Sequence, residues 1–319
     1  MALSSGKAVS QRGEARVATR RKRRSGVAPV AWMLVPSLIL IVGFSWYPAI
    51  QSLVLSFFTW DGVNSPAFVG LKNFADYIGS DTFGIQLGNI AILTVGSLIV
   101  SLIAPLLAAE LVFNLRSQRA AGVYKALLVI PIAVPFIINV EIWSYLFYPQ
   151  VGLFSTLIQD LGLSNVLTTT FTADPNIAIY CILAVGFPWV ANLGFLLYLA
   201  GLQTIPGELF EAYAMENRSI WKRLRYVDLP LIRGQIRLVL ILTLVATVQN
   251  FVTILVMTNG GPGTATLVPG LQMYQEAFRN DQFGLGMAIA TLIFVAILVV
   301  TLITLRTGRD ATVEGGVGA

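Results

Sequence analysis

The side chains that usually do covalent chemistry are almost missing from this 319-residue chain. It has no histidine. That removes a Ser–His–Asp triad, an H-E-x-x-H zinc site and a histidine ligand to haem. Its one cysteine, Cys181, sits inside an apolar run. A single thiol excludes an internal disulfide and a cysteine-cluster metal site, and there it reads as a small packing residue. No G-x-x-x-x-G-K-[ST] occurs, so the chain does not itself hold ATP through a phosphate loop. The remaining polar groups are of another kind. Thr247-Val248-Gln249-Asn250-Phe251 is a polar cluster in an apolar stretch. Gly186, Trp189 and Asn192 are spaced i, i+3, i+6 and share roughly one helical face. Such amides either meet a polar solute or hold helices to one another. Glu141 is an isolated carboxylate in an apolar run, a functional candidate unless it simply faces water near a helix end.

The elements that carry these groups follow from composition. Hydrophobic residues make up 56% and charged residues 12%, where an ordinary globular domain has about 25% charged. Mean hydropathy is +0.76. A soluble chain so short of charge leaves its surface uncovered, and collagen, coiled coil and disorder fail on the same numbers. The reading is an all-α polytopic membrane protein. Apolar runs of span length fall at Val30–Ser52, Gly88–Phe113, Ala126–Phe147, Asn176–Leu202, Leu238–Thr258 and Gly284–Leu305, six in number. Pro36 and Pro48 predict a kink or broken end in the first; Pro105, Pro131, Pro135 and Pro188 interrupt three others.

Nineteen of the 21 Lys and Arg residues lie in the N-terminal tail, in the loops after spans two and four, or after span six. Lys72 and Arg279 alone fall on the opposite side. The basic side is cytoplasmic by the positive-inside rule, so six spans leave both termini in the cytoplasm. Residues 1–28 form a basic tail, 29–306 the six-span unit and 307–319 a second tail. The tail's position just before a span points to topology and anionic lipid, with no nucleic-acid partner. The first apolar stretch is long and lacks an obvious cleavage site, so it reads as an uncleaved span. A transport or channel role fits better than an enzyme. A secondary transporter or channel for a small polar solute would usually place several ionisable groups at mid-membrane, and one carboxylate is visible.

Residues 203–237, between spans four and five, are too polar for their surroundings. Pro206 suits a helix start, and Glu208 and Glu211 suit its positive end. Asn217 suits the turn that ends it. A second, basic helix follows from about Ile220 to Asp228, and Leu229-Pro230 stops it. The first helix is apolar almost all round, which fits packing under the spans or insertion into a partner's groove. Glu110, near the same end of span two, is expected at the cytoplasmic boundary.

Glu211-Ala212, the turn at Asn217, and Leu229-Pro230 resemble the E-A-A…G…I-x-L-P loop of permease subunits of bacterial ABC importers. Three further segments resemble the carbohydrate branch of that family, the maltose-permease-like type: Val69-Gly70-Leu71-Lys72-Asn73-Phe74, Ala200-Gly201-Leu202-Gln203-Thr204-Ile205-Pro206 and Thr258-Asn259-Gly260-Gly261-Pro262-Gly263. The chain departs from the motif at Tyr213, the third residue of the E-A-A triplet, and at Asn217, where the family has glycine.

The resemblance implies a non-catalytic membrane subunit of an importer for a sugar, a di- or oligosaccharide, that works with a second permease subunit, two copies of a cytosolic ATPase and an extracytoplasmic solute-binding protein, in the bacterial inner membrane. No cofactor is expected on this chain; ATP and Mg belong to the ATPase. Glu211, Ala212, Tyr213, Asn217, Leu229 and Pro230 would form the coupling site. Sugar sites pair amides with aromatic rings and need few charges, so Thr247, Gln249, Asn250, Phe251, Gly186, Trp189 and Asn192 would line the substrate path. No metal site is expected.

Overall fold

A computed structural model describes residues 27–163, 169–216 and 219–306. The described residues are mostly helical, with two short strands. The helix from Val27 to Leu55 starts in an N-terminal unit that ends at Ile50 and finishes in a second unit that begins at Gln51 and holds the remaining elements. The first helix runs as α1 (Val27–Ile41), a π turn at Val42–Trp46 and α2 (Tyr47–Leu55). Pro36 lies inside α1 without breaking it, and Trp32–Leu55 runs as one span with a π turn in it, without the expected break. Trp32, Met33 and Phe44 stay exposed, as lipid contact requires.

Two short strands, β1 (Phe58–Thr59) and β2 (Ala67–Phe68), pair antiparallel, and α3 (Lys72–Ile78) follows. Buried Asn73 donates to the carbonyls of Ser56 and Phe58, both at 2.9 Å, and so fastens α3 to the strand. The V-G-L-K-N-F segment thus has a local structural use. α4 (Phe83–Phe113) is a 31-residue helix, about 46 Å long and more than enough to cross a bilayer. Tyr77 donates to Gln86 of α4 at 2.8 Å, and burial pushes its phenol up to about 12.

Span three is not straight. α5 (Gln118–Val129), a 3-10 turn (Ile130–Ala133) and α6 (Phe136–Leu146) bend through 90° where Pro131 and Pro135 withhold backbone donors. α7 (Leu153–Asp160) and a 3-10 turn (Phe171–Ala173) follow. Span four is broken into α8 (Ala178–Ala184) and α9 (Leu193–Gln203), with residues 185–192 as non-helical chain between. The loop holds α10 (Gly207–Glu216), α11 (Ile220–Arg223), a π turn (Leu224–Asp228) and α12 (Leu229–Leu231). Pro230 does not stop this segment as expected. It sits in α12, which continues directly from the π turn at Leu224–Asp228, and the chain turns at Ile232 instead. Span five breaks at Asn250–Phe251 into α13 (Arg233–Gln249) and α14 (Val252–Met257). α15 (Pro269–Phe278) precedes α16 (Phe283–Arg306), the last span.

The core has two parts. One gathers Leu93, Val140, Phe147, Ile182, Ile254 and Leu271. The other, at the end that carries the loop, gathers Leu106, Ala109, Phe195, Tyr198, Leu202 and Ile232. α4 runs through both, and α9 packs closely on the second.

Candidate functional site

A cavity of about 540 Å³ lies where the two core clusters meet. Its wall includes Leu93, Ile182 and Ile254 of the first cluster and Val239 of the second. The polar wall comes from four elements. α4 gives Ser97 and Ser101, one turn apart; α6 gives Asn139; the 185–192 break gives Gly186, Trp189 and Asn192. The region around the second break gives Thr243, Thr247, Asn250 and Thr253. A smaller adjoining cavity of about 390 Å³ shares Phe136, Asn139, Gly186 and Ala191.

At each break an asparagine side chain bonds to the first turn of the helix that follows. Asn192 accepts from Phe195 N at 3.2 Å as the N-cap of α9 and donates to Trp189 O at 2.8 Å. Asn250 accepts from Thr253 N at 3.3 Å and donates to Thr253 Oγ1 at 2.9 Å. Gly186 has φ +85, which glycine adopts freely. Trp189 has φ +59, which costs a bulky residue about 1–2 kcal/mol. Its amide donates to Gly186 O at 2.7 Å and its indole to Leu183 O at 3.1 Å, fixing the ring at the wall.

The structure therefore brings Gly186, Trp189, Asn192, Thr247 and Asn250 to one cavity. It does not bring Gln249 or Phe251 there. α13 ends at Gln249, which is exposed, and Phe251 turns to stack on Tyr274 at 5.3 Å. Glu141 is exposed on α6 and is not part of the wall. Ser97, Ser101, Asn139, Thr243 and Thr253 escaped the sequence reading, because isolated hydroxyls and a lone amide in apolar helices carry no local signal.

The loop forms a second site. On α10, Glu211, Ala212, Leu209 and Met215 are exposed, whereas Phe210 and Tyr213 are half-buried. Phe210 packs on Phe113 of α4 at 5.5 Å. Tyr213 Oη donates to Ser219 O at 3.4 Å, so the bulk that departs from the family motif braces the turn. Asn217 lies outside the described residues. Leu229 is half-buried and Pro230 exposed. The guanidinium of Arg223 lies over the Phe210 ring at 5.2 Å and reaches two carboxylates: Nε donates to Asp228 Oδ2 at 3.0 Å and Nη2 to Glu110 Oε2 at 3.3 Å. Glu110 is buried, not at an open boundary as expected. Its Oε1 and Asp228 Oδ1 have no hydrogen-bond partner among the described residues. Among those residues no group of His, Cys, Asp and Glu is placed to hold a metal ion.

Residues 101–308 match the family described as binding-protein-dependent transport system inner membrane component. A probable ABC transporter permease of Pyrococcus horikoshii is 31% identical, over 88% of this chain and 96% of that protein. The trehalose/maltose transport system permease MalF of Thermococcus litoralis is 30% identical, over 87% and 92%. The fold matches a chain of a bacterial alginate ABC transporter, solved in complex with an alginate pentasaccharide-bound periplasmic protein, with a TM-score of 0.77 at 19% identity, covering 89% of this chain and 95% of that one. A broken-span helical bundle with a paired-helix loop, matched by the family over most of its length, makes this chain a member of the binding-protein-dependent transport system inner membrane component family, an integral-membrane transport subunit.

Proposed function

We propose that this chain is one of two membrane-spanning subunits of an ATP-driven importer that passes a saccharide from an extracytoplasmic binding protein to the cytoplasm. The observation that carries the reading is the cavity: hydroxyls, amides and a fixed indole at the junction of two broken spans. The sugar cargo is supported by the trehalose/maltose relative and by the wall chemistry. The alginate transporter, solved with its periplasmic protein, supports a binding-protein partner.

Two copies of a cytosolic ATPase do the hydrolysis with ATP and Mg, and this chain binds no cofactor. One copy seats the exposed face of α10, Glu211, Ala212 and Met215, in a groove. Its movement passes through Phe210 and Arg223 to Glu110 on α4. The same helix holds Ser97 on the cavity wall, roughly 20 Å further along. Loop and wall therefore move as one body between inward-facing and outward-facing states. The loop faces the cytoplasm, both termini lie on that side, and the membrane is the bacterial inner membrane.

Dependence on partners tests the reading. Alone in proteoliposomes, the chain should neither accumulate sugar nor hydrolyse ATP. With the second permease, ATPase and binding protein, hydrolysis should rise on adding the ligand-loaded binding protein. Uptake driven by an ion gradient in the chain alone would point to a secondary transporter instead.

A further inference from the structure

The two halves of the loop between spans four and five differ in charge. α10 exposes Glu208 and Glu211 and contains no Lys or Arg. The segment Ile220–Leu231 carries Lys222, Arg223 and Arg225, and its one carboxylate, Asp228, is fully buried against Arg223. Arg223 is spent on Asp228 and Glu110. Lys222 and Arg225 stay exposed and form no ion pair among the described residues. Beside them Trp221 is 74% exposed and Tyr226 67%. Trp221 with Arg225, and Lys222 with Tyr226, are i, i+4 pairs, so the four share one face. Arg223, Leu224, Val227 and Asp228 lie on the other side, half-buried or buried. The segment Ile220–Leu231 is bent by 74° from α13. A helix set so far across its span runs along the membrane surface.

We propose that this face, Trp221, Lys222, Arg225 and Tyr226, binds anionic phospholipid headgroups of the membrane beside it. The proposal goes beyond the cargo path and the α10 contact, and uses only the placement of the loop at the cytoplasmic surface. Two cations with no exposed carboxylate near them in the segment attract a headgroup phosphate, each worth about fivefold in affinity. Trp and Tyr settle at headgroup level, where the ring meets acyl carbons and the polar tip meets water. The acidic α10 and the basic face beyond it ask for surfaces of opposite sign. A groove on the ATPase suits the first, and an anionic leaflet suits the second. The loop is thus held from two sides, by headgroups along Ile220–Leu231 and by the ATPase along α10.

The test uses the complete complex in nanodiscs of mixed phosphatidylcholine and phosphatidylglycerol. One lipid or the other carries brominated chains, which quench nearby indoles. Subtracting the emission of a Trp221→Phe complex, in each background, isolates Trp221. Brominated phosphatidylglycerol should quench it more than brominated phosphatidylcholine at the same mole fraction. That excess should fall at least about fivefold in Lys222→Gln/Arg225→Gln. It should also shrink as salt is raised. Both substituted side chains are exposed, so the double variant keeps its fold. Equal quenching by the two lipids in the parent overturns the inference. Quenching by neither, with the ATPase lost from the double variant, gives the face to the ATPase and overturns it too. Hydrolysis that ignores the loaded binding protein, with the excess intact, overturns the importer reading and leaves this inference standing.

Discussion

Arg223 and Glu110 lie 113 positions apart and meet through Nη2 and Oε2 at 3.3 Å, tying the loop between spans four and five to the end of α4. Asp228, fully buried, shares the same guanidinium. One cation thus serves two carboxylates, and that ratio makes the cluster asymmetric.

Removing the cation leaves two buried negative charges facing one another, whereas neutralising Glu110 leaves a matched pair. Arg223→Gln should cost about 3–5 kcal/mol and abolish stimulated hydrolysis or assembly. Glu110→Gln should cost about 1 kcal/mol. Thermal unfolding of the detergent-solubilised complex, with the double variant closing the cycle, reads the difference. Equal losses in the two single variants would contradict the asymmetry.

Tyr213 departs from the family's E-A-A triplet and uses its hydroxyl on Ser219. Tyr213→Ala restores the motif but removes the brace. Hydrogen exchange across residues 205–232 should quicken, and binding-protein-stimulated hydrolysis should fall several-fold. If the motif residue alone sets coupling, hydrolysis will rise instead.

Asn192 is an N-cap, so its replacement separates structure from recognition. Asn192→Ala should destabilise the complex by about 1 kcal/mol, and Asn192→Ser should recover most of that loss. The readout is the melting temperature of the complex; identical values for Ala and Ser would remove the cap assignment.

Asp61 accepts from Val63 N at 3.0 Å and Asn64 N at 2.8 Å, and chiefly those backbone bonds hold its carboxyl below the ordinary 3.8. A lowered value means that the turn is stabilised above pH 3.8 and loses that support as pH falls through the folded value. Hydrogen exchange at residues 61–64 should therefore be unchanged from pH 7 to 5, after correction for intrinsic rates, and should quicken below pH 3.8. Asp61→Asn should remove the acid transition.

Much of the architecture was legible in the sequence because membrane spans are written in runs of apolar residues and in where Lys and Arg fall. The paired-helix loop was legible because helix ends carry their own residues. The breaks were harder. Gly186, Pro188 and Asn192 were in view, yet an apolar run has the same composition whether it is straight or interrupted. Sequence neighbours also part at a break: Asn250 bonds to Thr253 of α14 at the cavity while Phe251 turns to Tyr274. Glu110 looked like a boundary residue because its partner lies 113 positions away, and no local pattern records such a pairing. The wall hydroxyls of Ser97 and Thr243 became visible only when three helices were set around one space.

The central claim is that cargo passes the wall built by α4, α9 and α13 while the loop is coupled separately. Thr247→Trp fills that space without touching Arg223, Glu110 or α10. Uptake of the labelled cargo by proteoliposomes holding the complete complex, measured beside stimulated ATP hydrolysis, tests it most directly. The account predicts that uptake drops at least about tenfold while hydrolysis continues to respond to the loaded binding protein. Uptake equal to that of the parent complex would contradict it.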